Sequence, residues 1–273
     1  MRPTVYDLHA SVAEIYDRIE TKTADVALLR RLIGSVNGLR ILEPFCGTGR
    51  VLVPLARDGH TLVGLDNAAG MLARARAKLS ALPAAVQERV TLHHVDVLHE
   101  AWPQGFDLVI LAGNCLYELG TPEDQARVIA CAAAALRPGG HLFVDNDHME
   151  GDLDPSWYRP AEEDGVFPTG RCADGTCLES RWSVIWYNTA TRLIAFRRRT
   201  RITRPDGTVE ERETVQQKHP PSAEEVAGWL EAAEMTTERR MGDYDANCYT
   251  NNAPRAIFWA RKDKEVKPDA QRA

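Results

Sequence analysis

The chain has 273 residues, of which 44% are hydrophobic, and this content is enough to bury the core of a large folded domain. Its 33 basic and 39 acidic residues give a net charge of -6, which provides no basic surface for nucleic acid or for an anionic membrane. No apolar stretch is long enough to span a bilayer, so we expect a cytoplasmic protein, monomeric or homodimeric, with a small molecule as its partner.

Six cysteines are spread along the chain at spacings that match neither a disulfide framework nor a paired zinc site. Cys172 and Cys177 flank Asp174-Gly175, a dipeptide that is typical of a turn. We therefore expect reduced thiols and no metal site.

The first 150 residues alternate between strand-like and helix-like segments. Thr23 is a suitable cap for a helix that ends at Gly34, and Thr121 caps another helix with Pro122 in its first turn. The other predicted helices cover residues 51–56 and 68–82, and the predicted strands cover residues 39–43, 61–66, 90–95, 106–112 and 141–145. Five such units predict an α/β protein with a doubly wound, mostly parallel sheet, whose ligands bind beyond the carboxyl ends of the strands.

From about residue 180 the pattern changes to long strands without helices between them, over residues 182–187, 193–203 and 208–217. These strands predict an antiparallel β insertion after strand five. A capping-box pattern at Ser222 and Glu225 begins a last helix, and two final strands complete a seven-stranded Rossmann-like sheet. The predicted domains are lid helices in residues 1–35, a main domain in residues 36–150 and 218–262, and the insertion in residues 151–217.

The stretch Glu43-Pro-Phe-Cys-Gly-Thr-Gly49 lies between the first predicted strand and the helix that follows it. Gly47 and Gly49 allow a ligand to approach the backbone, and Asp66, at the end of the next strand, can bind a ribose diol. This combination predicts a nucleoside ligand. An NAD-dependent oxidoreductase is disfavoured, because Leu52 replaces the third glycine of the dinucleotide fingerprint.

Together with this turn, three further stretches resemble the motifs of class I S-adenosylmethionine-dependent methyltransferases: His93-His-Val-Asp-Val97, the residues from Phe106 to Cys115, and Leu136-Arg-Pro-Gly-Gly140. Phe45 stands where many members of the family have their first glycine. The resemblance covers roughly residues 10–150 and implies S-adenosylmethionine as the cofactor. It implies ten cofactor-binding residues, namely Tyr16, Glu43, Gly47, Gly49, Asp66, Asn67, Met71, Asp96, Val97 and Asn114.

Within this resemblance, the two glycines back the methionine and ribose portions of the cofactor. Asp66 binds the ribose hydroxyls, and Asp96 with Val97 reads the edge of the adenine. Asn67 and Met71 border the adenine ring.

The N-terminal segment that carries Tyr6 and Tyr16 resembles the aromatic lid helix of small-molecule N-methyltransferases that act on glycine-like amines or amino sugars. The insertion is then expected to lie over the acceptor site. The alternatives that remain open are an O-methyltransferase for a hydroxyl or carboxyl acceptor and a non-catalytic protein that binds S-adenosylmethionine.

Candidate catalytic residues lie after strands four and five. The stretch Asn114-Cys-Leu-Tyr117 lacks the two prolines found in base-modifying relatives, so methylation of nucleic acid bases is disfavoured. The acidic stretch from Asp145 to Glu150 is predicted at the mouth of the pocket, where it favours an amine acceptor and lets His148 accept a proton. A solvated acidic turn is the alternative reading of this stretch. Tyr117 and His219 are the other candidate catalytic residues.

An arginine run, Arg197-Arg-Arg-Thr-Arg201, lies on one of the long strands. Alternate residues of a strand point to opposite faces, so these charges are predicted to divide between two sides instead of forming a phosphate-binding stripe. Pairing with Glu210, Glu211 and Glu213 of the next strand is expected.

Overall fold

A computed structural model describes residues 5–149 and 162–263 of the protein. Residues 1–4, 150–161 and 264–273 lie outside the described part, and they include Glu150 of the acidic stretch, the start of the lid segment and the start of the predicted insertion. The α-helices of the described part are α1 (Val12–Ile19), α2 (Ala24–Ile33), α3 (Leu52–Arg57), α4 (Ala69–Ser80), α5 (Ala84–Gln87), α6 (Pro122–Ala135) and α7 (Ala223–Ala232). Its strands are β1 (Arg40–Pro44), β2 (Thr61–Asp66), β3 (Val90–His94), β4 (Phe106–Leu111), β5 (Leu136–Asp147), β6 (Glu162–Asp164), β7 (Gly170–Arg171), β8 (Cys177–Asn188), β9 (Leu193–Thr203), β10 (Val209–Lys218), β11 (Met235–Met241) and β12 (Arg255–Lys262).

Local capping signals set the beginnings of two helices where the sequence predicts them. The hydroxyl of Thr121 accepts a hydrogen bond from the amide of Asp124 over 3.1 Å, and Pro122 occupies the first position of α6. Ser222 and Glu225 form a reciprocal capping box at the start of α7. Across the described ranges, the helices are too short or too polar to cross a membrane.

The main sheet has seven strands in the order β11-β12-β5-β4-β1-β2-β3. Strands β1 to β5 run parallel, whereas β12 is antiparallel to both β5 and β11. This arrangement confirms the predicted doubly wound, mostly parallel sheet. The carboxyl ends of β1, β2 and β4 meet at the same edge of it.

Both faces of the main sheet are buried by helices, as a parallel sheet requires. Leu42 and Val109 face the core that includes residues of α6 and α7. Their sequence neighbours Ile41 and Leu108 face the core that includes residues of α2, α3 and α4. The period of two along each strand therefore divides its apolar residues between the two layers.

Strand β5 begins five residues earlier than the sequence predicts. Leu136 pairs with Phe106 of β4, and a register shift follows before His141 pairs with Leu108. The stretch between them is an irregular part of the strand and not a turn before it. Glycine is favoured at Gly140, where a Cβ would lie only 3.0 Å from the carbonyl oxygens of both Phe106 and Arg137.

A second sheet has the order β10-β9-β8-β6, with β7 paired to β8, and all its pairs are antiparallel. The hairpin between β9 and β10 closes with a hydrogen bond from the Gly207 amide to the Arg204 carbonyl over 3.0 Å. This sheet confirms the predicted antiparallel insertion after strand five.

Candidate functional site

A cavity of about 880 Å³ lies at the carboxyl ends of β1, β2 and β4. Tyr6, from a short 3-10 turn, and Tyr16, from α1, line it on the N-terminal side. The second sheet contributes residues 215–217 of β10 to the same cavity. The site is therefore built from the main sheet, the N-terminal segment and the insertion.

The glycine-rich turn and Asp66 meet at this cavity. The amide of Gly49 donates to the carbonyl of Cys46 over 2.8 Å, and Gly47 and Gly49 have φ angles of 52° and 76°, which glycine adopts without strain. The carboxylate of Asp66 accepts hydrogen bonds from the amides of Gly47 and Ala68, each over 2.8 Å. Because a carboxylate oxygen can accept more than one hydrogen bond, Asp66 retains acceptor capacity for a diol.

Leu52, at the place of the missing third glycine, is accommodated by a glycine in the neighbouring strand. A Cβ at Gly64 of β2 would lie 2.8 Å from Leu52 Cδ1 and 2.7 Å from Cys46 Sγ. Gly64 therefore lets the fully buried Leu52 pack closely beneath the turn. The close contact between helix and strand that a fingerprint glycine provides is obtained here from the strand side.

Glu43 lies near the end of β1 and lines the cavity. Its side chain is 5% exposed, and Oε2 is buried without a hydrogen-bond partner in residues 5–149 and 162–263. Burial raises the pKa of Glu43 to about 8; Arg50 opposes this rise, and Asp25 and Asp66 add to it. A cation beside Glu43 would satisfy the unpaired oxygen and stabilise the charged form.

The loop after β3 and the start of α4 border another part of the cavity. Asp96 lies 3.2 Å from His99, measured from Oδ2 to Nδ1, and the next residue, Val97, is buried. Asn67 and Met71 line the same cavity. Apolar side chains beside one carboxylate suit a planar base with a polar edge.

Helix α1 is clamped to the glycine-rich turn beside Tyr16. Asp17 Oδ1 accepts hydrogen bonds from Thr48 Oγ1 over 2.6 Å and from Lys78 Nζ over 2.5 Å, and Oδ2 accepts one from Arg74 Nε over 2.7 Å. Although burial alone would raise the pKa of Asp17, these three donors hold it below its usual value. One carboxylate thus joins α1, the turn and α4.

A second group of lining residues comes from the segment after β4, the start of α6 and strand β10. Glu118 and Asp124 contribute carboxylates, and Gln216 and Gln217 contribute amides. Glu118 Oε1 lies 2.7 Å from Nζ of Lys218, which is 8% exposed. These residues belong to none of the cofactor motifs, so they mark a separate subsite.

Most of the predicted cofactor-binding residues come together. Eight of the ten line the cavity: Tyr16, Glu43, Gly47, Asp66, Asn67, Met71, Asp96 and Val97. Gly49 is in the turn but does not line the cavity, and Asn114 lies outside it.

Asn114 belongs to an ion-pair network at the end of β5. Its side-chain amide donates to Asp147 Oδ2 over 2.7 Å, and its oxygen accepts from the Asp147 amide over 2.7 Å. Arg255 donates to Asp147 and to Asp145, and its Nε is 2.7 Å from Asp145 Oδ1. Asp145 is 0% exposed and also accepts from the Tyr244 hydroxyl over 3.0 Å. The two aspartates predicted to bind an amine are therefore engaged by Arg255.

The structure does not bring His148 or Tyr117 to the cavity lining. The imidazole of His148 stacks on Tyr249, with Nδ1 at 3.3 Å from the Tyr249 hydroxyl. Tyr117 packs against apolar residues of the second sheet, and Lys218 Nζ lies 4.4 Å from the centre of its ring. Burial is the main reason why the pKa of Tyr117 is raised, which opposes a role as a base.

His219 is also separated from the cavity, because it is buried between α6 and α7 with 1% exposure. Its Nδ1 lies 2.8 Å from Gln125 Oε1, and its Nε2 lies 3.4 Å from Glu225 Oε1. The amide of Gln125 donates in turn to the carbonyls of Leu116 and His219, each over 2.8 Å. This geometry indicates that His219 helps to join α6 to α7.

Several lining residues carry no signal that sequence reasoning used. Arg50 follows the glycine-rich turn and pairs with the buried Asp25 of α2 at 2.5 Å. Glu118, Asp124 and Gln216 come from three elements that only the fold brings together. The position of Glu118 shortly after the fourth strand, at the edge where ligands bind, is the one signal that pointed toward this subsite.

Residues 41–140 match the protein family described as Methyltransferase domain. This part of the chain is similar to methyltransferase domains. The resemblance that the sequence motifs predict is thereby confirmed over this range, which holds the glycine-rich turn, Asp66 and Asp96.

The ubiquinone biosynthesis O-methyltransferase of Photorhabdus laumondii is 33% identical over 113 residues, which are 40% of this chain and 43% of that enzyme. The chain thus matches less than half the length of the curated relative. The CcbJ methyltransferase from Streptomyces caelestis has a TM-score of 0.68 at 19% identity, covering 95% of this chain and 98% of that one. An amino pentose methyltransferase from Micromonospora echinaspora has a TM-score of 0.60 at 22% identity, covering 96% and 98%. These two structures show that a similar fold, aligned over nearly the whole chain, occurs in methyltransferases.

Proposed function

We propose that the protein is an S-adenosylmethionine-dependent methyltransferase that acts on a small molecule, preferentially at an amine nitrogen. The observation that carries the proposal is the meeting of the glycine-rich turn, Glu43, Asp66 and Asp96 in one cavity whose other part holds the carboxylate of Asp124. A volume of about 880 Å³ is large enough for a nucleoside cofactor together with a small acceptor.

The residues of the cavity fit this cofactor. The unpartnered Oε2 of Glu43 suits the ammonium group of the methionine portion, and Asp66 retains acceptors for the ribose diol. Asp96 and Val97, with Asn67 and Met71, would hold the adenine. Gly47 lets the cofactor lie against the backbone.

When bound, S-adenosylmethionine supplies a methyl group on a positively charged sulfur. The protein has to align the acceptor with that methyl group and exclude water from the site. Tyr16 lines the cavity, so its aromatic ring can attract the positively charged sulfur of the cofactor. Asp17 holds α1 in place over the glycine-rich turn.

One carboxylate of the acceptor subsite supports an amine as the acceptor. Asp124 lines the cavity, whereas the charge of Glu118 is balanced by Lys218, so an ammonium group would be attracted to Asp124. A carboxylate in this position can also take the proton that an amine has to lose before it is methylated. Asp124 replaces Asp145 and Asp147 in the role that the acidic stretch suggested. Residues 215–217 of β10 line the subsite, which supports a place over the acceptor for residues 162–217, the described part of the predicted insertion.

An O-methyltransferase is the second candidate, and the curated relative from Photorhabdus laumondii favours it because that enzyme is an O-methyltransferase. A non-catalytic binder of the cofactor is the third. A cytoplasmic location, the absence of a nucleic acid or membrane partner, and a monomeric or homodimeric state remain predictions from the sequence.

Release of S-adenosylhomocysteine, measured with panels of amines, phenols, carboxylates and thiols, tests the proposal. We expect turnover with amines, a large loss in Glu43→Gln because the cofactor no longer binds, and a smaller loss in Asp124→Asn. Binding of S-adenosylmethionine without turnover on any acceptor class would identify a binding protein. Absence of cofactor binding by calorimetry would refute the proposal.

A further inference from the structure

Arg198 differs from its two neighbours in the strand, Arg197 and Arg199. Arg197 and Arg199 lie on one face of the second sheet, where their Nε atoms are 3.1 Å and 3.0 Å from the carboxylate of Glu213. Arg198 lies between them and therefore points to the opposite face. The arginine run is thus divided between the two faces of the sheet, as the sequence predicts. Arg198, on the inward face, has a different environment from Arg197 and Arg199.

The guanidinium of Arg198 has few partners. Its Nη1 donates to Gln216 Oε1 over 3.0 Å, while its Nε is buried and has no hydrogen-bond partner among the described residues. Burial lowers the pKa of Arg198, and the nearby side chains of Glu118, Tyr6 and Tyr117 oppose that change. A buried guanidinium is normally matched by a carboxylate, so its surroundings leave part of its charge uncompensated.

The neighbouring carboxylate compensates the charge of Arg198 only in part. Glu118 is paired with Lys218 at 2.7 Å, and this pair is close to neutral. The ion pairs of the described ranges include no partner for Arg198 within 4.0 Å. Arg198 therefore adds a net positive charge behind the acceptor subsite.

A second unsatisfied group lies directly beside Arg198. Thr214 of β10 is its cross-strand partner, and Thr214 Oγ1 is also buried without a hydrogen-bond partner in the described chain. Buried polar side-chain atoms are seldom left unpaired in native proteins. Arg198 Nε and Thr214 Oγ1 are thus two adjacent donors on the inward face that a group with acceptor oxygens would satisfy.

Gln216 connects this pair of donors to the cavity. It lines the cavity, and its side-chain oxygen accepts the hydrogen bond from Arg198. With the oxygen engaged in this way, the amide NH₂ group is left to donate to another partner. Tyr6 and Glu118, which lie close enough to Arg198 to affect its titration, line the same cavity.

We propose that Arg198, together with Gln216 and Thr214, forms the subsite for an anionic oxygen group of the methyl acceptor, either a carboxylate or a phosphate. The guanidinium binds both groups through paired N–H donors. The acceptor is then an amine that carries a negative charge at its other end, with Asp124 facing the amine. This inference rests on the proposed function and specifies its substrate class.

Matched acceptors test the subsite. We would measure kcat/KM by S-adenosylhomocysteine release for benzylamine against para-aminomethylbenzoate, and for ethanolamine against phosphoethanolamine. The wild-type protein should prefer one anionic member by about 10- to 100-fold, the range expected for a hydrogen bond to a charged group. The pair that shows the preference distinguishes a carboxylate from a phosphate.

Arg198→Met should reduce that ratio to about one through a rise in KM, and Arg198→Lys should restore part of it. Arg199→Met, which removes the adjacent outward arginine, is the matched control and should keep the preference. A preference that survives in Arg198→Met, or wild-type turnover favouring the neutral amines, would overturn the proposal.

A direct binding measurement separates this subsite from the proposed function. The ¹⁵Nε signal of Arg198, assigned by its loss in Arg198→Met, would be followed during titration with benzoate and with inorganic phosphate, with and without S-adenosylhomocysteine. A saturable shift with either anion supports the subsite even if turnover is not observed. No shift, as expected if only water pairs with these donors, would overturn it even if cofactor binding by calorimetry is normal.

Discussion

The amide nitrogen of Gly47 lies 2.8 Å from Asp66 Oδ2, so the end of β2 holds the glycine-rich turn that follows β1. The second oxygen of Asp66 accepts from the Ala68 amide over 2.8 Å. Burial raises the pKa of Asp66, and these two backbone hydrogen bonds oppose the rise. One side chain thereby fixes the turn and presents acceptor oxygens to the cavity.

We expect Asp66→Ala to weaken S-adenosylmethionine binding about 100-fold, because it removes the diol acceptors and releases the Gly47 amide. Asp66→Asn keeps one acceptor oxygen and should show an intermediate loss. Isothermal calorimetry with S-adenosylmethionine and S-adenosylhomocysteine measures both. Unchanged affinity in Asp66→Ala would contradict the assigned diol contact.

Glu43 makes cofactor binding depend on pH. Its pKa of about 8 means that the side chain is mostly protonated in the free protein near pH 7. An ammonium group beside it favours the carboxylate, so binding should release a proton, and affinity should rise between about pH 6 and pH 8 and then level off.

Calorimetry in two buffers of different ionisation enthalpy counts the proton that Glu43 releases. In Glu43→Gln the affinity should be low at every pH, and the proton release should disappear. Proton release that persists in this variant would assign the pH dependence to another group.

Asp17 is expected to control how long the cofactor stays bound. Asp17→Asn weakens the ion pairs to Arg74 and Lys78 that hold α1 over the turn, so we expect cofactor dissociation to become about 10-fold faster. Stopped-flow displacement of S-adenosylhomocysteine measures this rate. Glu20→Gln removes a carboxylate just after α1 and is the matched control. Equal rates of S-adenosylhomocysteine dissociation in the two variants would show that Asp17 does not control how long the cofactor stays bound.

Gly64 is expected to be required for stability and not for chemistry. Gly64→Ala would place a methyl group within 2.8 Å of Leu52, Cys46 and Leu92, which should cost about 1–3 kcal/mol of unfolding free energy. Gly228→Ala in α7, where the new Cβ has open space, is the control and should stabilise by about 0.5–1 kcal/mol. Urea denaturation measures both, and a neutral Gly64→Ala would show that Leu52 can move.

Asp124 and His148 offer a comparison between two positions for proton transfer. The acidic stretch in the sequence predicts that His148→Ala lowers turnover, whereas Asp124 is the residue that lines the cavity. We expect Asp124→Asn to raise KM for an amine about 10-fold and His148→Ala to stay within about twofold of wild type. Their pH–rate profiles provide the check. A selective loss of turnover in His148→Ala, with normal cofactor affinity, would assign proton transfer to His148.

Local sequence determines much of this protein. The period of two in β1 and β4 divides Leu42 and Ile41 between opposite cores, and the capping pairs at Thr121 and Ser222 begin α6 and α7 at the predicted residues. The strand, glycine-rich turn and following carboxylate predict the cofactor side of the cavity. They do so because each signal depends on residues that are close along the chain, where backbone geometry fixes their relative positions.

Tertiary structure alone decides the proposed acceptor side of the cavity. Glu118, Asp124, Arg198 and Gln216 come from separate elements, and their proximity depends on how the second sheet packs against the main one. The same packing engages Asp145 with Arg255, 110 positions apart in the chain, and buries His219 between two helices. Charge in the sequence shows which groups must find partners, but long-range packing determines whether each partner is another residue or a ligand.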